Sequence, residues 1–343
     1  MKKIEFGLYS LGDYVEDAAT GIKISEQQRI EEIIEAAKLA EKYGLDYFSV
    51  GESHQEHFIS QAHALILAAI ARETNKIRIS SSATIISTSD PVRVYENFTT
   101  LDLLSNGRAE IVAGRASRIG LFSLLGYDLK DYEELFEEKF ELLIRLFNEE
   151  RITWNGKFRA PLNDEVLYPK PIQKEFPIWR AVGGNTGSAY LAGRQGVPMA
   201  LATLAGAVSY FNQTVEAYRK TFKEYHPTET PKVAIDTWLY VDETDEIAFK
   251  KYYKYVDHAF RKSNGTGFSR SGYMSTLDIR NAMLVGSAET VIQKLVHQFE
   301  TYNHDRHFFQ IDLGGMKFED VKRIIKTLGE VIIPEVNKRL GAK

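Results

Sequence analysis

The chain has 343 residues, no cysteine, a formal net charge of -4, 44% hydrophobic and 26% charged residues. This is the composition of a soluble globular protein with room for one large α/β domain or two small ones. It excludes disulfides, thiolate catalysis and cysteine-held metals, gives nucleic acid no basic face, and contains no run of about 18 apolar residues for a membrane span.

Lys2-Lys3 is followed by Glu5, Asp13, Glu16 and Asp17 rather than an apolar stretch, so no secretory signal is read and a cytoplasmic protein is expected. A short strand over 4–9 opens the chain. Ser25 starts a helix with Ile30, Ile33, Ile34, Ala37 and Ala40 on one face, stopped by Gly44. A strand over 45–50 and a helix over 62–74 follow. The β-branched and small run 77–86 suits a strand buried on both faces. Asp90-Pro91 is a helix start, since Asp accepts from free backbone N–H groups and Pro fits the first helical position. Val94, Phe98, Leu101 and Leu104 recur at helical spacing, and Ser105-Asn106-Gly107 ends the helix. The strand 109–113 then delivers Gly114-Arg115, a cation at a strand's carboxyl end, where parallel α/β folds bind ligands.

Phe136, Phe140, Leu143 and Phe147 mark another helix, and 151–177 departs from the alternation. Strands over 178–182, 199–203, 233–241 and 308–313 alternate with helices over 188–194, 207–225, 243–260, 288–302 and 318–340. About eight β-α units predict one α/β domain, a (β/α)8 TIM barrel over 1–343, with insertions near 116–131, 151–177 and 262–286. An open doubly wound sheet has the same pattern, because alternation does not show closure. The polar, glycine-bearing stretch 262–286 reads as a mobile lid.

Candidate site residues sit at strand ends. Glu52, Ser53 and His54 follow the second strand, and a carboxylate beside an imidazole can do acid/base work. A solvated polar loop is the plainer reading of the same residues. His54, Glu56 and His57 match no familiar ligand spacing, so no metal is expected. Gly183-Gly184-Asn185-Thr186-Gly187-Ser188 joins a strand to a helix; small residues let a ligand approach and the helix start favours an anion. It is neither a Walker loop nor GxGxxG, and a tight structural turn explains it equally well on its own. Arg115 from another strand end is what makes a phosphate site of it. Ser82-Ala83 ends a run of small residues that either lets a ring lie close or simply packs a barrel interior.

The ordered set resembles the bacterial luciferase-like flavin-dependent monooxygenases of the FMN type. Phe6-Gly7, VGESH at 50–54, SATII at 82–86, DPVRVYENFTTLDLLSNGRAEIVAGR at 90–115, VGGN at 182–185, GVPMAL at 196–201 and LVGSAETVIQKL at 284–295 carry the resemblance over nearly the whole chain. It implies a barrel binding FMN at the strand ends, with a non-proline cis peptide at Ser82-Ala83 beside the ring. It further implies that Arg115 meets the phosphate with Asn185, Thr186 and Ser188. Val182, Gly183 and Gly184 would give backbone contacts, Glu52 would lie near the ring, and Thr203 would line the cavity. Where family members commonly carry a histidine, this chain has Ser53, which takes up no proton at neutral pH; His54 is the imidazole that remains.

The resulting expectation is an FMN-dependent monooxygenase using reduced FMN and oxygen on a small apolar molecule, with Glu52 and His54 as catalytic residues. No dinucleotide fingerprint is visible, so electrons would come from a separate NAD(P)H:flavin reductase. Phe58, Phe122, Tyr127 and Phe268 would line an apolar cavity. The resemblance also implies a homodimer through the helices around the second and third strands. Alternatives are an F420-dependent hydride-transfer enzyme and a non-catalytic flavin carrier or sensor, the latter favoured by Ser53. A sugar- or phosphate-metabolising barrel would need paired carboxylates or a Schiff-base lysine at strand ends, and neither stands out.

Overall fold

The computed structural model describes residues 4–18, 20–116 and 120–341. Eight strands run parallel: β1 (Glu5–Ser10), β2 (Tyr47–Val50), β3 (Arg78–Ser81), β4 (Ala109–Gly114), β5 (Ile178–Val182), β6 (Met199–Ala202), β7 (Val233–Val241) and β8 (Arg306–Gln310). Each pairs with the next, and β8 returns to β1 with Glu5 opposite Arg306, so the sheet closes into a (β/α)8 barrel. Helices cover the outside, as alternating apolar strands and amphipathic helices require. Among the described residues, no helix is long and apolar enough to cross a membrane.

The helix signals act as read. Ser25 accepts from the Gln28 N–H at 3.1 Å at the start of helix Glu26–Lys42. Asp90 accepts from the Val92 N–H at 2.8 Å to open helix Pro91–Ser105, and Asn106, at φ 58°, closes it.

Side chains alternate in and out along the strands, which stacks the barrel interior in layers. The middle layer is one cluster of Tyr9, Tyr47, Val112, Trp179, Ala200, Ala234 and Phe308. Below it lies a buried charged plug. Arg306 donates to Glu110 and Glu5, each at 2.7 Å, with its guanidinium 4.2 Å from the Tyr47 ring and 4.3 Å from that of Trp179. Glu110, itself fully buried, also pairs with Arg78. Above the cluster the inward positions shrink to Gly51, Ser82, Gly114, Ala181 and Ala202.

Four expectations need correcting. The strand 77–86 breaks in two: β3 stops at Ser81, the Ser82-Ala83 peptide is cis, and Thr84–Ile85 pairs with β4 beyond it. The last strand is Arg306–Gln310 rather than 308–313, because Arg306 and His307 are buried despite their polarity, the first in the charged plug, the second bonded to His304 at 3.0 Å. The segment 262–286 is largely built into the fold. A helix runs on to Asn264, Arg270–Met274 is helical, and Leu284–Gly286 adds a strand to β7. Buried Lys294 ties it down through the Thr276 and Met283 carbonyls, as does the Tyr273 hydroxyl through Phe249 O at 2.9 Å. The final helix 318–340 contains a π turn at Leu328–Ile332. The excursion 151–177 includes the antiparallel pair Ile152–Trp154 and Leu162–Glu165. Of the region 116–131, residues 117–119 lie outside the described residues, and the remainder includes a short helix, Leu121–Leu124.

Candidate active site

The carboxyl ends of the strands form a mouth with a floor of small side chains. Ala83, Ala181 and Ala202 face inward yet are only half-buried, whereas the layer beneath them is closed. Two glycines make the floor possible. A Cβ on Gly51 would run into the Ser82 carbonyl, and one on Gly114 would lie 2.8 Å from the Ala83 Cβ.

Along one side of the mouth, β5 passes through Val182 and Gly183 into Gly184, which adopts φ 84°. Asn185 then caps helix Thr186–Gln195, its Oδ1 accepting from the Gly187 N–H at 2.7 Å. The open space of about 520 Å3 at this turn is lined by Gly183, Asn185, Thr186 and Tyr210. A side chain added at Gly183 would meet nothing within 4 Å.

Arg115, at the end of β4, reaches the same helix start. Its Nη1 donates to Ser188 Oγ at 3.3 Å, and its Nε is shut off from solvent with no hydrogen-bond partner among the described residues. A guanidinium, a hydroxyl and the free N–H groups of a ten-residue helix therefore converge, the donor set an anion needs. In the structure, carboxylates hold that guanidinium: Nη2 lies 2.9 Å from both Glu137 and Glu133. Glu137 is shared with fully buried Arg180, which also bonds Gln195 at 2.8 Å. Burial works against ionising Glu137, but Arg180 and Arg115 together hold its carboxyl below the usual range.

The residues expected to be catalytic pair with each other. Glu52 Oε1 lies 2.7 Å from His54 Nε2, while Oε2 accepts from the Ile85 N–H at 2.8 Å. The Glu52 N–H in turn donates to Ala83 O at 2.9 Å. The carboxylate thus straps the chain after Ser82-Ala83, and it borders a groove of about 830 Å3 between helices His63–Glu73 and Pro91–Ser105. Buried His63, 3.8 Å from Glu52 and bonded to Thr84 Oγ1 at 2.8 Å, is pushed below its ordinary pKa by burial. Ser53 is buried, and so is Thr203, whose N–H and hydroxyl both donate to the Asp236 carbonyl.

The four aromatics do not converge. Phe122 and Tyr127 share one cluster with Ile85 and Leu135, whereas Phe268 packs on Phe260, which packs on Trp238. Phe58 forms a bridge with Asp13 elsewhere on the rim.

Three polar residues of this end were not anticipated: Arg180, Glu137 and Asp236. A lone charge inside a buried strand, as in IWRAV and VAIDTWLYV, is the signal that could have flagged Arg180 and Asp236.

Comparison with known proteins agrees with this architecture. The chain is 22% identical over 353 residues, 96% of itself and 95% of the relative, to the oxygenase component of a flavin-dependent trigonelline monooxygenase of Acinetobacter baylyi. It is 27% identical over 236 residues, 63% of itself and 69% of the relative, to an F420-dependent glucose-6-phosphate dehydrogenase of Amycolatopsis mediterranei. The fold superimposes on a monooxygenase from Streptomyces bottropensis with a TM-score of 0.82 at 22% identity, covering 97% of this chain and 99% of that one. Residues 5–304 match the family described as luciferase-like monooxygenase. The chain belongs to that family.

Proposed function

We propose that this protein is an FMN-dependent monooxygenase that uses reduced FMN and oxygen on a small apolar substrate. The observation that carries the reading is the meeting of Arg115 with Ser188 and the start of helix Thr186–Gln195, at the side of a mouth floored by small residues. The flavin phosphate would replace Glu133 and Glu137 on Arg115, with Asn185, Thr186 and the Val182-Gly183-Gly184 backbone around it. Ala83, Ala181 and Ala202 leave room for a planar ring, and Ser82 and Thr203 stand at the same level. Bound reduced flavin supplies the two electrons with which oxygen is activated. The chain supplies placement, shelter from water and proton control, the last through the His54–Glu52 pair, because Ser53 has no basic group.

The trigonelline relative is the oxygenase component of its system, which supports delivery of electrons by a separate NAD(P)H:flavin reductase. A homodimer through helices His63–Glu73 and Pro91–Ser105 is supported by exposed Leu65 and Leu104 in the groove between them. The second reading, F420-dependent hydride transfer, is favoured by the Amycolatopsis relative.

Titration of the purified protein with FMN, riboflavin and F420, in oxidised and anaerobically reduced forms, separates these readings. Tighter binding of FMN than of riboflavin, with oxygen uptake on reduced FMN, is the expected result. Selective F420 binding moves the protein to hydride transfer, and no binding of any of the three removes the flavin reading.

A further inference from the structure

Asp236 lies on the inner wall of this mouth, and no cation among the described residues pairs with it. Ala234, two residues earlier on β7, belongs to the barrel interior, so Asp236 points inward as well. Its Oδ1 is shut off from solvent and has no hydrogen-bond partner, and it forms no ion pair among the described residues. Among the described residues its side chain takes part in one hydrogen bond, a long one across the barrel, with Ser82 Oγ donating to Oδ2 at 3.5 Å.

Among the described residues, the elements packed around it offer no cation to it. Ala202 of β6 and Phe308 of β8 lie opposite it in register. Tyr9 of β1 stays protonated, because burial and the neighbouring Asp236 push its phenol far up. The other carboxylates of this end are occupied, Asp13 by the Gln310 amide and Asp312 by Ser10 and Arg29. Burial accordingly pushes the Asp236 carboxyl up to about 7, the Ser82 hydrogen bond opposing.

We infer that Asp236 is a second proton-carrying group of the mouth beside the His54–Glu52 pair, a neutral acid when the site holds an anionic ring, so that binding of the reduced cofactor takes up one proton from solvent at this carboxyl. The inference rests on the flavin reading above. Its physical ground is that a carboxylate and an anionic ring cannot share a desolvated mouth, whereas a neutral carboxyl removes the repulsion and adds an O–H donor. No electron moves in this step. One proton leaves water and one O–H bond forms on Asp236.

Two readouts test it, one independent of any cofactor. Infrared titration of the ligand-free protein should show a protonated carboxylic acid that disappears near pH 7 and is absent from Asp236→Asn. Ser82→Ala, which removes the hydrogen bond to the charged form, should move that midpoint upward. Absence of the band at pH 6 in a folded wild type overturns the inference whatever the protein binds. The second readout is the ratio of affinities for reduced and oxidised FMN from pH 6 to 9, in which the phosphate contribution cancels. Above pH 7 this ratio should fall up to tenfold per pH unit more steeply in the wild type than in Asp236→Asn. Equal slopes in two flavin-binding proteins overturn the inference and leave the flavin reading intact, while failure to bind FMN at all counts against that reading instead.

Discussion

Arg115 and Ser188 come from different β-α units, 73 residues apart in sequence, and meet at 3.3 Å at the start of one helix. Two carboxylates, Glu133 and Glu137, pair with the guanidinium. The cluster is poised for exchange: an incoming dianion competes with side chains of its own charge type, and only one of them, Glu137, is locked by a second arginine.

Arg115→Ala should weaken FMN binding by about 2–5 kcal/mol while leaving riboflavin nearly unaffected, since only the phosphate loses its partner. Glu133 is largely exposed, so Glu133→Gln should tighten FMN about two- to fivefold, the size of a surface ion pair. Fluorescence titration of the variants with both flavins checks the pair of effects; equal losses for FMN and riboflavin in Arg115→Ala would place the phosphate elsewhere.

Gly51→Ala and Gly183→Ala should behave oppositely. The first drives a methyl into the Ser82 carbonyl and to 2.6 Å from Leu11 Cδ2, costing about 1–3 kcal/mol of stability. The second fills space with no neighbour within 4 Å, so thermal unfolding should not change while flavin affinity drops. Thermal melts with and without FMN distinguish them.

Asp236 also sets a pH dependence of stability. Its folded-state pKa lies near 7, above the ordinary 3.8, so its contribution is fully present below about pH 4 and is lost as pH rises through 7. Asp236→Asn should therefore be more stable than the wild type at pH 8, by about 2–4 kcal/mol, with the gap closing as pH falls. Denaturant unfolding across that range reads the difference directly, and a pH-independent gap would contradict it.

Glu110→Ala should cost about 3–5 kcal/mol, because Arg306 and Arg78 would keep their charges at the sealed end of the barrel without the fully buried carboxylate they share. The loss should appear in chemical denaturation and leave flavin affinity per folded molecule unchanged, since the plug lies at the opposite end from the mouth.

Local chemistry carried much of this into the sequence. Asp90-Pro91 and Asn106 bound their helix because capping and left-handed geometry are decided within a few residues, and the β-α rhythm follows from which faces are apolar. The glycine turn at 183–188 and Arg115 were readable as separate anion-binding elements. The start of β8 was not readable, because Arg306 and His307 look like surface residues until Glu110 and His304 are placed against them. Nor was the anchoring of 262–286, which depends on Lys294 reaching carbonyls of Thr276 and Met283.

The sequence by itself determined the parallel α/β alternation, the helix ends and the candidate glycine turn and Arg115, because each depends on neighbours in the chain. Only the tertiary structure decided that the sheet closes, that Arg115 shares its charge with Glu133 and Glu137, that Glu52 straps Ile85 and pairs with His54, and that Asp236 Oδ1 is buried inside the barrel without a partner among the described residues. The physical reason is common to all four. Burial and charge pairing are properties of the space between strands, and strands from about 20 to about 300 residues apart become neighbours only when the barrel closes.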